Sequence, residues 1–276
     1  GGGIGLAFFR EYMDITLKDP GEIASLLQIP ILGSVSRVRP DGKNIKKTVD
    51  IDRIVENDPY SLAAESYRTI RTNLLFSITN SSPTTSIVVT SSVPKEGKTL
   101  TAVNLATMIA NGGEKVLLVD CDIRKPRIHT IFNLDNKLGL SHFLLGKSNM
   151  DEIINYSGVD NLYLVTSGGI VNRPIELISL RNMKLFIEKA SLQFSTIIFD
   201  TPPITLVTDA AVLSSIATGV VLVAGNRATK ELLSRAKELL QNVNAKMFGI
   251  ILNNIAPSED IYSYPKYYYG KYYSSK

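Results

Sequence analysis

Six short apolar runs, separated by stretches of helical period, constrain this chain more than anything else in it. The runs are TSIVVTSS, KVLLVDCD, LYLVTSG, FSTIIFD, GVVLVAG and MFGIILNN. They are continuous rather than alternating, so each needs cover on both faces of a sheet, the pattern of parallel strands joined by crossover helices. The covering helices are legible between them. KTLTAVNLATMIANGG closes on a glycine stop, and PIELISLRNMKLFIEKA and TKELLSRAKELLQNV carry the helical spacing. SLAAESYRTIRTNLLFSI, ahead of the first run, is helical by the same criterion. The expected fold is α/β, a parallel sheet with helices on both faces, and the loop SSVPKEGKT that leaves the first run makes it the P-loop NTPase type.

The first run leads straight into SSVPKEGKT and then a helix. From Ser92 to Thr99 this follows the phosphate-loop pattern, four free positions and then Gly-Lys-Thr, with serine replacing the usual first glycine. Backbone N–H groups at a helix start wrap phosphates, and the helix dipole favours their charge. The nucleotide-binding segment is therefore expected to comprise Ser92, Val93, Pro94, Lys95, Glu96, Gly97, Lys98, Thr99 and Leu100. Lys98 is placed to neutralise the β- and γ-phosphates, and the Thr99 hydroxyl to take Mg2+.

Two further strands end in carboxylates. In VLLVDCDIRKP, Asp120 and Asp122 lie two apart at a strand's carboxyl end, where open α/β sheets bind ligands. Alternate strand residues share a face, and two carboxylates this close repel unless a cation lies between them. Arg124 either holds one of them or reaches a phosphate. STIIFDTPP ends in Asp200, the Walker-B form, which puts a carboxylate near the metal shell. Asp209, in LVTDA, reads as a helix cap. The guanine-reading pairs Asp-x-x-Gly and Asn-Lys-x-Asp are replaced by DTPP and NNIA, so ATP is the expected nucleotide.

Other features exclude more than they assign. Thirty Lys and Arg against 26 Asp and Glu, a net +4, is too mild to argue for nucleic acid. The single cysteine, Cys121, rules out a disulfide framework and reads as a small buried apolar residue, while His129 and His142 lack metal-ligand spacing. GGGIGLAFF is about half the length of a membrane span. It is either a buried N-terminal segment or the cytosolic stump of a spanning helix. The chain divides into an appendage (1–36), a basic linker (37–57), the P-loop domain (58–258) and a tail (259–276). The linker's Arg37, Arg39, Lys43, Lys46 and Lys47 form a solvated loop or face anionic lipid. Seven of twelve tyrosines fall in the tail: Tyr262, Tyr264, Tyr267, Tyr268, Tyr269, Tyr272 and Tyr273. They have no period that would gather them on a buried face.

With SSVPKEGKT, LLVDCDIRKP and IIFDTPP in place, the chain resembles the bacterial tyrosine autokinases of capsule and exopolysaccharide synthesis, whose Walker A, A′ and B motifs these are similar to. That family's fold is adapted from the partitioning ATPases, whose signature lysine at the loop's second position is replaced here by Val93. The resemblance implies an ATP- and Mg2+-dependent kinase that phosphorylates its own tail tyrosines on a neighbouring subunit. Lys98, Asp120, Asp122 and Asp200 would be its catalytic residues, Thr99, Asp120, Asp122 and Asp200 the metal set, and Asn253 the residue meeting the adenine. It implies ring-like self-association through Glu65, Arg68 and Arg71, which match a Glu-x-x-Arg-x-x-Arg motif. It also implies a transmembrane activator, fused at residues 1–36 or separate, a phosphotyrosine phosphatase and polysaccharide export proteins as partners, at the cytoplasmic face of the membrane. Arg173 departs from the family's Asn-Pro-x-Glu-Leu run. The competing expectation is a partitioning or positioning ATPase that acts as a nucleotide-dependent scaffold without kinase activity.

Overall fold

The computed structural model describes residues 20–37, 50–78, 84–169 and 177–255. The expectations for GGGIGLAFF, for most of the basic linker, for Arg173 and for all seven tail tyrosines lie outside these residues.

The chain begins with α1 (Pro20–Leu27) and β1 (Ile31–Ser36), then α2 (Ile54–Asn57) and α3 (Leu62–Ser77). The unit that carries the phosphate loop follows: β2 (Thr85–Ser91), α4 (Lys98–Ala110) and β3 (Val116–Asp120). Three short helices, α5 (Ile128–Ile131), α6 (Leu140–Leu144) and α7 (Met150–Ile153), precede the β4 (Ile154–Tyr156) and β5 (Leu162–Val165) pair. The last part alternates α8 (Leu180–Ser191), β6 (Thr196–Asp200), α9 (Asp209–Ser214), β7 (Gly219–Ala224), α10 (Lys230–Asn242) and β8 (Met247–Ile255).

The strands form one sheet in the order β1-β8-β7-β2-β6-β3-β5-β4, parallel throughout except for the β4–β5 pair. Every expected apolar run is a strand of it, and the central ones are buried on both faces. Side-chain alternation splits the core into two layers. Val88, Val119, Phe199 and Leu222 pack on one face with α8, α9 and α10, while Ile87, Val89, Leu118, Ile198 and Val221 pack on the other with α3 and α4.

Helix α4 is buried almost all round, because α2 and α3 cover the face turned away from the sheet. Its polar residues are buried with it. Asn104 answers this burial by accepting from Val55 N at 3.0 Å and donating to the carbonyls of Asp52 and Leu100. The turn at Ile51–Arg53 and helix α2, read from sequence as part of a linker, are thereby fastened to the phosphate-loop helix, with Ile54 and Val55 in the core.

Residues 31–36, read from sequence as part of an appendage, form an edge strand paired in parallel with β8. Ile250 N donates to Pro30 O at 2.9 Å, and Lys237 Nζ to Leu27 O at 2.7 Å. Gly249 makes this approach possible, since a Cβ there would sit 2.7 Å from Pro30 O. A division at residue 36 therefore falls within one sheet. Among the described residues no helix is long and apolar enough to cross a membrane.

Candidate active site

Strand order builds the site. β6 lies between β2 and β3, and the register sets Val89 beside Asp200 and Asp200 beside Asp120. The loop leaving β2 and the two acidic strand ends therefore meet at the carboxyl edge of the sheet.

Within the loop, Gly97 takes a left-handed φ of 84° as the cap of α4, and Asn253 leaves no room there for a side chain. Lys95 is also left-handed, at φ 68°, which costs a non-glycine residue on the order of 1 kcal/mol. The first-turn N–H groups of α4 have no carbonyl four residues earlier in the helix and are available to an anion.

Lys98 Nζ stands 2.9 Å from Asp122 Oδ2 and 3.4 Å from Asp200 Oδ1. Burial alone would lower the pKa of this lysine, but the charges of Asp200 and Asp122 outweigh it and hold the ammonium above its ordinary value. Thr99 Oγ1 donates to Asp200 Oδ2 at 2.7 Å. Burial pushes the Asp200 carboxyl up, with Lys98 and the Thr99 hydroxyl opposing.

Asp120 is fully buried. Its Oδ2 accepts from Arg127 N and Ile128 N, both at 3.0 Å, and its Oδ1 from Asp122 N at 3.2 Å. Burial, and then the neighbouring charge of Asp200, push its pKa up to about 7 against those N–H groups and Lys98. Asp122 Oδ1 accepts from Lys125 N at 3.1 Å.

Mg2+ is a hard cation that takes one or two protein oxygens and fills its octahedron with water and phosphate. Thr99 and Asp200 supply such an oxygen pair, and among the described residues no cluster of three or more His, Cys, Asp or Glu offers an all-protein cage instead. The four residues expected to bind metal thus converge with different engagements. Thr99 and Asp200 face each other, Asp122 holds Lys98, and Asp120 holds backbone N–H groups.

Several outer positions differ from the sequence reading. Arg124, expected on Asp120, Asp122 or a phosphate, pairs instead with Asp209 Oδ2 at 3.5 Å. Asp209 is not a cap: Thr208 occupies that position and Asp209 is the first helical residue of α9. Asn253, expected at the adenine, donates through Nδ2 to the carbonyl of Glu96 in the phosphate loop at 2.9 Å. Cys121 is buried in the apolar core as expected. His142 Nδ1 lies 3.3 Å from Ser141 Oγ, and His129 Nε2 lies 3.2 Å from Thr130 Oγ1.

Helix α3 carries Glu65, Arg68 and Arg71, away from the loop. Glu65 and Arg68 pair with each other on an exposed face, whereas Arg71 packs against Gly112 beyond the end of α4, with its Nε buried and unpartnered among the described residues. Sequence reasoning missed Thr205 and Gly225, which donate to the Ser92 carbonyl and to Glu96 Oε1 from the segments that follow β6 and β7. Their only signal is their place just after strands that end beside β2.

The AAA domain family matches residues 85–248. The chain is 42% identical over 212 residues to the tyrosine-protein kinase YwqD of Bacillus subtilis (strain 168), covering 76% of this chain and 89% of that protein. It is 32% identical over 258 residues to the tyrosine-protein kinase ptk of Acinetobacter johnsonii, covering 92% of this chain but only 35% of that longer protein. The crystal structure of the chimerical protein CapA2B2 superposes with a TM-score of 0.78 at 35% identity, covering 87% of this chain and 100% of that one.

Proposed function

The chain belongs to the bacterial tyrosine-protein kinases and is a protein-tyrosine kinase, and from that premise we propose that it uses ATP to phosphorylate its own tail tyrosines in trans within an oligomer. The acceptors are Tyr262, Tyr264, Tyr267, Tyr268, Tyr269, Tyr272 and Tyr273. The observation that carries this reading is the convergence of Lys98, Thr99, Asp120, Asp122 and Asp200 at the start of one helix.

Phosphoryl transfer asks a protein mainly for positioning and charge neutralisation. Lys98 and the N–H groups of the loop take the β- and γ-phosphates. Thr99 and Asp200 would hold Mg2+, with Asp122 close by on Lys98, and the cation would supply positive charge to offset that of the phosphates. Asp120 accepts the phenolic proton of the incoming tyrosine. The phenolate oxygen then bonds to the γ-phosphorus as the bond to the ADP oxygen breaks. A phenol's ordinary pKa is about 10, so a base near neutrality is needed. An Asp120 carboxyl raised to about 7 suits that task. Asn253 borders the adenine while holding the loop.

Each tail phosphate adds about −1.5 to −2 charge, enough in number to overcome Lys266, Lys271 and Lys276 and loosen the assembly by repulsion. Capsule or exopolysaccharide synthesis and export is the process so regulated. The partners are a transmembrane activator, contributed by residues 1–36 or by a separate subunit, a phosphatase and the polymerisation and export proteins, at the cytoplasmic face of the membrane. The scaffold-ATPase alternative lacks support at Val93, where its signature lysine would stand. Incubation with Mg-ATP followed by phosphopeptide mapping tests the reading. Phosphate is expected on the tail peptides, and ATP hydrolysis with an unmodified tail would sink it.

Ring-like assembly runs through Glu65, Arg68 and Arg71, and the structure separates their substitutions. Glu65→Ala with Arg68→Ala removes only an exposed ion pair, which contributes about 0–1 kcal/mol to the fold, so light scattering should show monomers with an unchanged melting temperature. Arg71→Ala should lower the melting temperature as well, because its side chain packs against Gly112. An unchanged mass in the Glu65/Arg68 variant would remove this helix face from the assembly.

A further inference from the structure

A loop that binds phosphates is an unexpected place to bury a carboxylate, because the ligand brings several negative charges of its own. Glu96 is nonetheless only 2% exposed. Its Oε2 accepts from Ser92 Oγ and from Val93 N, both at 2.9 Å, and its Oε1 accepts from Gly225 N at 3.1 Å. Its backbone carbonyl accepts from Asn253. One residue thus ties the loop to its own entrance and to the ends of β7 and β8. The residues on either side of it, Lys95 and Gly97, are both left-handed, so the loop is held in a shape it would not keep unaided. Packing follows the same contact: a Cβ on Gly225 would lie 3.2 Å from Glu96 Cα.

Resting on the nucleotide-site reading above, we propose that Glu96 is a positioning residue, a carboxylate strut that closes the phosphate loop from behind. It holds the loop N–H groups in their phosphate-binding arrangement before nucleotide arrives. Donors approach both of its oxygens, one at Oε1 and two at Oε2. Only a carboxylate accepts on both; an amide in its place must turn its NH2 toward at least one donor. Preformed geometry spares the ordering cost that a loose loop would meet on binding. The strut also makes the end of β7 part of the phosphate site, through Gly225 rather than through any ligand contact.

The test is the isosteric Glu96→Gln in the full chain, with Glu96→Ala beside it. Hydrogen–deuterium exchange on nucleotide-free protein should show the Ser92–Gly97 and Gly225 amides exchanging about tenfold faster in Glu96→Gln, as loss of a hydrogen bond to a charged group implies. The α8 amides should keep wild-type rates. The Kd for Mg-ADP by calorimetry should rise about tenfold for the same reason, with the loss in turnover falling on KM for ATP more than on kcat. Both effects are required. Wild-type loop exchange, wild-type ADP affinity, or acceleration spread equally into α8 would each overturn the proposal. Should the wild-type chain itself bind no Mg-ADP, the nucleotide reading falls, while the exchange result still judges the strut.

Discussion

Lys98→Met will abolish tail phosphorylation and also lower the melting temperature of the nucleotide-free chain. The first effect follows from losing the cation assigned to the β- and γ-phosphates. Removing one preorganised electrostatic contact costs about 10²–10³-fold in rate, and a full charge on a phosphoryl group should be at the upper end or beyond. The second follows from the geometry. Lys98 stands between Asp122 and Asp200, so methionine leaves two buried carboxylates facing each other. Removing one partner of a buried pair costs about 3–5 kcal/mol. Protonation relieves part of this, since an unpaired carboxylate in a buried site gives up its charge more readily. Burial already raises the Asp200 carboxyl, so the loss of melting temperature should shrink as the pH is lowered. Adding Asp200→Asn to Lys98→Met should recover melting temperature but no activity, which separates the structural role of the lysine from its chemical one. A Lys98→Met chain that melts like wild type would mean that the three side chains do not hold one another.

The second large effect belongs to Asp120→Asn. General-base catalysis contributes about 10²–10⁴-fold, so kcat should fall by that range. The wild-type rate should rise with pH along an acid limb, because the base must be deprotonated. That limb has its midpoint at or below about 7, where burial and the Asp200 charge place the carboxyl before a bound cation draws it down. In Asp120→Asn the limb should vanish from the residual rate. Stability carries the opposite sign. A folded pKa raised from 3.8 to about 7 gives stability that is present below pH 3.8 and lost as pH rises through about 7. The nucleotide-free wild type should therefore lose stability across that window, and the Asn variant should not lose this contribution. The amide, however, cannot accept from Asp122, Arg127 and Ile128 N–H groups at once, so its melting temperature is expected to be lower at acid pH. Unchanged kcat in a folded Asp120→Asn chain would strip the residue of its role as base.

What could be read from the sequence was what is local. Continuous apolar strands declare a doubly covered parallel sheet, and SSVPKEGKT followed by a helix declares a phosphate loop, because each depends on neighbours a few residues apart. The converging carboxylates of Asp120 and Asp200 were legible for the same reason, as each ends its own strand. β1 escaped notice as part of the sheet because ILGSVS is short and broken by Gly33-Ser34, and its pairing with β8 is a contact across the whole domain. Helices α5, α6 and α7 have four or five residues each, too few to show a helical period. The Arg124–Asp209 pair and the Glu96–Gly225 contact join residues 85 and 129 apart, and only the strand order brings them together.

The central claim is that one subunit's site modifies another subunit's tail, and a mixing experiment addresses it directly. A Lys98→Met chain with its tail intact is combined, in Mg-ATP, with a wild-type chain cut after residue 258, and phosphopeptides of the inactive chain are mapped. The account predicts phosphate on Tyr262–Tyr273 of the inactive chain and none when that chain is incubated alone. An unmodified tail in the mixture, under conditions in which the uncut wild-type chain phosphorylates its tail, would contradict it.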